Sequence, residues 1–177
     1  MTAASHAATS SAVQRIWTLL EQVTDPEIPV VSIRELGILR EVCERNGEID
    51  VVITPTYSGC PAMGQIEDDV RGALAGDAVM VNVLTRLAPA WTTDWLTDTA
   101  KEKLRAFGIA PPHTASQRVQ LAVRFRQRGT GLQAEPVRCP HCGSVDTTET
   151  SHFSSTACKA LYKCLDCLEP FDYFKPY

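Results

Sequence analysis

Residues 138–144, RCPHCGS, and residues 163–169, KCLDCLE, set four cysteines in the spacing C-x2-C-x21-C-x2-C. Each pair puts two sulfurs on one tight knuckle, and Gly143 supplies the permissive backbone after the first. Two such knuckles bring Cys139, Cys142, Cys164 and Cys167 around one ion at about 2.3 Å, the closed tetrahedral arrangement of structural Zn²⁺. Iron in a rubredoxin-like site is the rival, because four thiolates suit both metals. A segment of this size has too little apolar core to fold unaided, so the metal supplies much of its stability. The last stretch, residues 137–177, is therefore expected to be a four-cysteine zinc ribbon. Four cysteines complete the shell, which leaves His141 and His152 as surface residues. Cys158 is a further thiol in this stretch and reads as a small buried residue.

The 177 residues leave room for one ordinary domain ahead of the ribbon. The opening MTAASHAATSSAVQR has neither a basic n-region nor an apolar h-region, and residues 1–12 read as an Ala/Ser/Thr tail. Val13, Ile16, Trp17, Leu20 and Val23 recur at helical spacing over about 12–23. Asp25 to Val31 carries two prolines that forbid continued helix, and Ser32 with Glu35 has capping-box form. ILREVCERNGEIDVVITPT reads as a hairpin around Asn46-Gly47. Met63, Ile66, Val70 and Leu74 form the inner stripe of a second helix, and residues 78–85 read as a short buried strand. In WTTDWLTDTAKEKLRAFG, Thr93 is the expected cap, Leu96, Ala100, Leu104 and Phe107 the inner face, and Gly108 the C-terminal stop. The order α-β-β-α-β-α over 13–112 predicts an α+β domain, a small sheet packed by helices. Residues 113–136 read as an edge strand, VQLAVRFRQRG, and a linker.

No apolar run approaches the length of a membrane span, so the chain is expected to be cytoplasmic, where thiols stay reduced and seven cysteines argue for metal or thiolate chemistry. The net charge of −4 gives no general attraction to nucleic acid. Residues 113–177 have an excess of two basic residues, which a Zn²⁺ held by four thiolates cancels. Phe153, Tyr162, Phe171, Tyr173 and Phe174 are accordingly read as packing or partner-docking residues in place of base-stacking ones. A nucleic-acid-binding ribbon remains an alternative.

Cys60, in TPTYSGCPAMG, poses a separate question. Proline is well tolerated at the first helical position, so Cys60 reads as the N-cap of the second helix, where N–H groups and the helix dipole lower a thiol's pKa. Gly59 permits a tight turn, and Thr54, Thr56, Tyr57 and Ser58 surround it with hydroxyls. A cysteine so placed is a nucleophile, a soft metal ligand or a structural residue. A nucleophile wants a base, yet no histidine lies between Ser11 and Pro112; the four are His6, His113, His141 and His152. Metal or cluster handling is the favoured reading. Cys43 reads as a residue of a hairpin strand.

DPEIPVVSIRELGIL followed by ITPTYSGCPA resembles the small iron–sulfur assembly domain family related to the SufT proteins. WTTDW with KLRAFGIAPP, and CPHCGS with STACKALYKCLDCLEPFDYFK, resemble more narrowly its PaaD (also called PaaJ) branch, part of bacterial phenylacetate degradation. The resemblance implies a non-catalytic accessory protein of the phenylacetyl-CoA epoxidase system that matures an iron–sulfur or iron centre of its reductase or oxygenase component. It matches the family's reactive cysteine to Cys60 and its acidic motif to Asp25-Pro26-Glu27. Taken alone, Asp-Pro-Glu is either turn chemistry or a pair of carboxylates able to ligate iron. One thiol is too few for a [2Fe–2S] centre, so a cluster at Cys60 calls for a homodimer, the acidic pair or the client's cysteines. Glu149-Thr150-Ser151-His152 is a single Glu-x-x-His, and the chain has no pair of such motifs as a di-iron signature requires, no G-x-G-x-x-G Rossmann fingerprint and no flavin motif, which leaves the epoxidation to other components.

Overall fold

The computed structural model describes residues 11–45, 47–76, 80–113 and 136–177. Helix α1 (Ser11–Leu20) turns Val13, Ile16 and Leu20 inward, as the spacing requires. Strands β1 (Thr24–Asp25) and β2 (Ile28–Ser32) form a two-stranded ribbon on either side of Pro26-Glu27. The capping box forms as a reciprocal pair: Glu35 N–H donates to Ser32 Oγ at 3.2 Å and Ser32 N–H to a Glu35 carboxylate oxygen at 2.9 Å. It closes a turn, not a helix, and leads into β3 (Leu39–Arg45).

Strand β3 pairs antiparallel with β4 (Glu48–Ile53), from Arg45 opposite Glu48 to Leu39 opposite Ile53. This is the hairpin read from Asn46-Gly47; Asn46 itself lies outside the described residues. Helix α2 (Met63–Leu74) then crosses over to β5 (Val81–Thr85), which runs parallel to β4. Ile49, Val51, Val52 and Ile53 of the central strand are all buried, and Ile66, Val70 and Leu74 of α2 pack in the same core. Strand β5, expected to be buried, is not. It is the outer strand of the order β3-β4-β5, and Leu84 is 44% exposed.

The segment after β5 differs from expectation in its cap. Thr93–Trp95 is a single 3-10 turn, and helix α3 (Asp98–Ala106) starts beyond it with Thr97 as N-cap, its side chain accepting Ala100 N–H at 3.0 Å. A single helix from Thr93 is interrupted because Leu96 is extended, which drops its side chain into the core. Leu104 and Ala100 face inward, but Phe107 is 50% exposed, since the helix ends there and Gly108 follows at φ +88°.

Strand β6 (Ile109–Ala110) leaves α3 and joins a four-stranded sheet of order β6-β9-β8-β7, with β7 (Thr147–Ser151), β8 (Lys159–Cys164) and β9 (Pro170–Phe174). β6 is parallel to β9 and the other pairings are antiparallel. Two buried clusters result. One lies between α1, α2, α3 and the first strands and takes in Cys158 and Phe174; the other gathers Ala110, Val137, Cys139, Cys164, Phe171 and Tyr173. Trp91 packs at the seam, its ring 6.0 Å from Phe174 and 6.2 Å from Tyr177. Thr93 N–H and hydroxyl both donate to the Tyr177 carbonyl at 3.3 Å. The expected edge strand VQLAVRFRQRG lies outside the described residues. Among the described residues no helix is long and apolar enough to cross a membrane.

Candidate metal centre and cysteine cavity

Cys139, Cys142, Cys164 and Cys167 converge so that all four sulfurs lie within 4.8 Å of one another. The first knuckle is held by Gly143 N–H donating to the Cys139 carbonyl and Cys139 N–H to the Ser144 carbonyl, both at 2.9 Å. Gly143 sits at φ +78°, the left-handed conformation the knuckle needs. Cys139 and Cys167 sulfurs are 3.7 Å apart, and those of Cys142 and Cys164 3.6 Å. The edge of a tetrahedron with metal–sulfur bonds of about 2.3 Å is about 3.8 Å, so these two pairs stand at the spacing Zn²⁺ needs. Cys167 N–H donates to Cys164 Sγ and brings the pKa of that thiol down to about 7. His152 pairs with Glu149 at 3.2 Å, and His141 packs over Gly108; neither belongs to the group.

Cys60 does not cap the second helix. Met63 N–H reaches back to the Cys60 carbonyl at 3.4 Å, whereas the α-helical ladder opens with Ile66 N–H on Ala62 at 2.9 Å. Ala62 is the N-cap, and Cys60 lies in the turn before it. Its thiol is correspondingly not lowered. Burial pushes it up, Ala62 N–H pulls against that, and Asp25, Cys158 and Glu27 push further in the same direction as burial. The thiol rests protonated because the carboxylates and burial outweigh one hydrogen bond.

Asp25 and Glu27 do come to Cys60, together with Tyr57, Thr56, Thr156 and Cys158, around a cavity of about 20 Å³. Asp25 is 7% exposed and its Oδ1 accepts Glu27 N–H at 2.9 Å and Ile28 N–H at 3.0 Å. The hydrogen bonds form the turn that Asp-Pro-Glu suggests, and the same carboxylate lines the cavity. Burial raises its pKa against those two bonds. Cys158 is buried, as its sequence reading has it, but it also enters the first domain's core and faces the same cavity as Cys60. Nothing in the sequence announces this, because the two cysteines are far apart and share no spacing. His113 is placed elsewhere, lining a larger hollow with Arg105 and Arg138, its ring 6.3 Å from Tyr173. Cys43 is half-buried on β3 opposite Asp50.

Comparison with known proteins gives the two halves their classes. Residues 13–84 match the iron–sulfur cluster assembly protein family, and residues 125–175 match the PaaD zinc beta ribbon domain. The chain is an iron–sulfur assembly-type α+β domain followed by a four-cysteine zinc ribbon. A protein of Escherichia coli (strain K12), provisionally named as the D component of 1,2-phenylacetyl-CoA epoxidase, is 47% identical over 164 residues, covering 92% of each chain. The Fe-S protein maturation auxiliary factor YitW of Bacillus subtilis (strain 168) is 34% identical over 91 residues, covering 50% of this chain and 88% of that one. Among solved structures, a domain of unknown function from Bacillus anthracis is similar at 31% identity and a TM-score of 0.48, over 52% of this chain and 90% of that one. The chain belongs to the PaaD family.

Proposed function

We propose that this protein is an accessory subunit of the phenylacetyl-CoA epoxidase system that works in the cytoplasm, without catalysing the epoxidation, and matures or inserts an iron–sulfur or iron centre of the reductase or oxygenase component. The family membership and the E. coli relative's name support the system. The assembly-family match and the B. subtilis relative's name support the task. The observation that carries the chemistry is the company Cys60 keeps. Among the described residues its cavity is lined by Asp25, Glu27, Tyr57 and Cys158, and none on the wall is a histidine, lysine or arginine. A nucleophilic cysteine needs a base or a cation beside it to hold a thiolate. This one has groups that keep it protonated until a cation arrives. Cys60, Asp25 and Glu27 are the residues that handle the iron, and Cys139, Cys142, Cys164 and Cys167 hold a structural Zn²⁺ that keeps the ribbon folded.

The test is a Cys60→Ser strain grown on phenylacetate. The variant protein should remain folded and zinc-loaded, while the purified reductase and oxygenase components lose iron and growth fails. If both components come out of that strain with their full iron content, Cys60 has no part in maturation.

A further inference from the structure

The two cysteine knuckles of the ribbon follow one plan down to their backbone hydrogen bonds. Cys139 N–H donates to the Ser144 carbonyl at 2.9 Å, and Cys164 N–H to the Glu169 carbonyl at 3.0 Å, the same separation in sequence. Ser144 N–H is directed at the Cys142 sulfur and Glu169 N–H at the Cys167 sulfur. To aim that N–H, the residue after the second cysteine turns left-handed in both knuckles: Gly143 at φ +78° and Leu168 at φ +66°. Glycine takes this conformation freely, whereas the Cβ of leucine crowds the following carbonyl oxygen. Among the described residues Leu168 is the single non-glycine residue at positive φ.

Burial does not compensate for that strain. Leu168 is 64% exposed, and Leu165 at 47% and Val145 at 46% are exposed with it. The two loops that carry them lie side by side. Leu165 N–H donates to the Asp146 carbonyl at 2.8 Å, and the Ser144 hydroxyl donates to the Asp166 carboxylate. A strained, uncovered apolar side chain, where the sister knuckle has glycine, gives the isolated chain nothing. Strain of this kind persists where a contact made by the folded protein uses it.

Charge narrows what the contact can be. Residues 144–146 and 165–169 include Asp146, Asp166 and Glu169, all exposed, and no basic residue. Four thiolates around one Zn²⁺ leave further negative charge beneath them. Arg138 and Lys163 flank the knuckles in sequence, and Arg138 is turned to the Gly143 carbonyl at 3.4 Å. Such a tip repels nucleic acid and anionic membrane, and two copies meeting tip to tip set like charges against each other. It fits a protein surface with an apolar pocket and a rim of lysine or arginine.

We propose that the knuckle tip, Leu168 with Leu165 and Val145, is the surface by which this protein docks on the metal-receiving component of the epoxidase system, into an apolar pocket with a basic rim. Leu168 is the anchor, held out by the knuckle in a conformation that the chain alone does not favour. The metal of the ribbon then has a second task, since the knuckle it closes is what presents the leucine. This rests on the reading of the protein as an accessory subunit of that system and adds its point of contact.

The experiment titrates the full, zinc-loaded chain with the purified reductase and oxygenase components in a calorimeter, beside its thermal melt and zinc content. Leu168→Gly gives the second knuckle the residue of the first. The variant should keep its zinc, melt no lower than the wild type, and bind the client component about tenfold or more weakly. Leu168→Asn, also at ease in the left-handed region, should behave alike. Glu169→Gln should weaken binding about two- to threefold, and that difference should vanish as salt is raised. Unchanged binding by Leu168→Gly overturns the docking surface, because the leucine is then no anchor. A lower melt of both Leu168 variants overturns it as well, because the side chain then packs within the ribbon. So does a wild type that binds neither component. A wild-type dimer in sedimentation that Leu168→Gly dissolves would give the tip to a second copy and overturn the choice of partner. The maturation reading is decided apart from this: Cys60→Ser leaves the tip intact and should bind the client as the wild type does, and the iron content of clients from that strain stands whatever the tip variants show.

Discussion

The ribbon's four-cysteine cluster and the Cys60 cavity are both sulfur sites, and they are built on opposite plans. In the cluster, two local knuckles face each other with sulfurs paired across them at 3.6–3.7 Å, so a metal finds its ligands gathered. In the cavity, Asp25, Cys60 and Cys158 come from the β1–β2 turn, the loop before α2 and the turn before β8. There the thiols are raised, chiefly by burial and also by the carboxylate beside them, and they rest protonated. The difference is one of retention. A closed set of four thiolates keeps its metal for the life of the fold. Thiols that rest protonated beside buried carboxylates would hold an ion less tightly, which is what the proposed handling of iron as cargo asks of them.

The largest effect is expected where the comparison is sharpest. Replacing Cys142 or Cys164 with serine removes one of four thiolates, and structural zinc sites of this kind contribute about 10 kcal/mol or more of binding free energy. The ribbon should lose both zinc and its cooperative melt. Because Phe174 and Cys158 sit in the first domain's core, that domain should melt lower as well. Zinc analysis beside thermal denaturation checks both. An unchanged melt of the first domain would mean that the two halves are energetically independent.

Next in size is the seam itself. Phe174 is 1% exposed and packs on Trp91. Phe174→Ala removes a fully buried aromatic ring and should cost about 3–5 kcal/mol in urea denaturation. The same change separates the two sulfur sites. Zinc should stay bound, since Phe174 belongs to the other buried cluster, while Cys158 should become open to iodoacetamide. Loss of zinc on this substitution would show that the cluster depends on docking as well as on its own knuckles.

What is legible in the sequence divides along the same line. The zinc ligands, the Ser32–Glu35 capping box and the β3–β4 hairpin are local: their meaning lies in short spacings, and each forms where its spacing puts it. Cys158 at the cavity, Phe174 in the first core and β6 beside β9 are contacts between distant segments, which leave no period in the chain. The pKa of Cys60 departs from the sequence reading for a related reason. The helix entry suggests a lowered thiol, but burial, with Asp25 and Cys158 alongside, sets the direction, and neither is visible locally. Thr97 capping α3 in place of Thr93 is a smaller case, decided by Leu96 turning into the core.

The smallest effect concerns the charge that the cavity tolerates when empty of any cation. The Asp25 pKa is raised from 3.8 chiefly by burial, against the two N–H groups on Oδ1. An acid whose folded pKa lies above its unfolded value binds its proton more tightly in the native state. Between the two values the native state therefore carries more protons than the unfolded chain, and stability falls as pH rises. Above the folded pKa the loss is complete and constant; below 3.8 it is absent. Asp25→Asn keeps a carbonyl oxygen for the Glu27 and Ile28 N–H groups and removes the charge. The variant should be modestly more stable than the wild type at pH 7, and the gap should close as the pH is lowered past 3.8. Urea titrations of both proteins across this range, each with its zinc retained at the start, are the measurement. If Asp25→Asn is instead the less stable protein at pH 7, the carboxylate is a net structural contributor, and the cavity's acidity needs no cation to account for it.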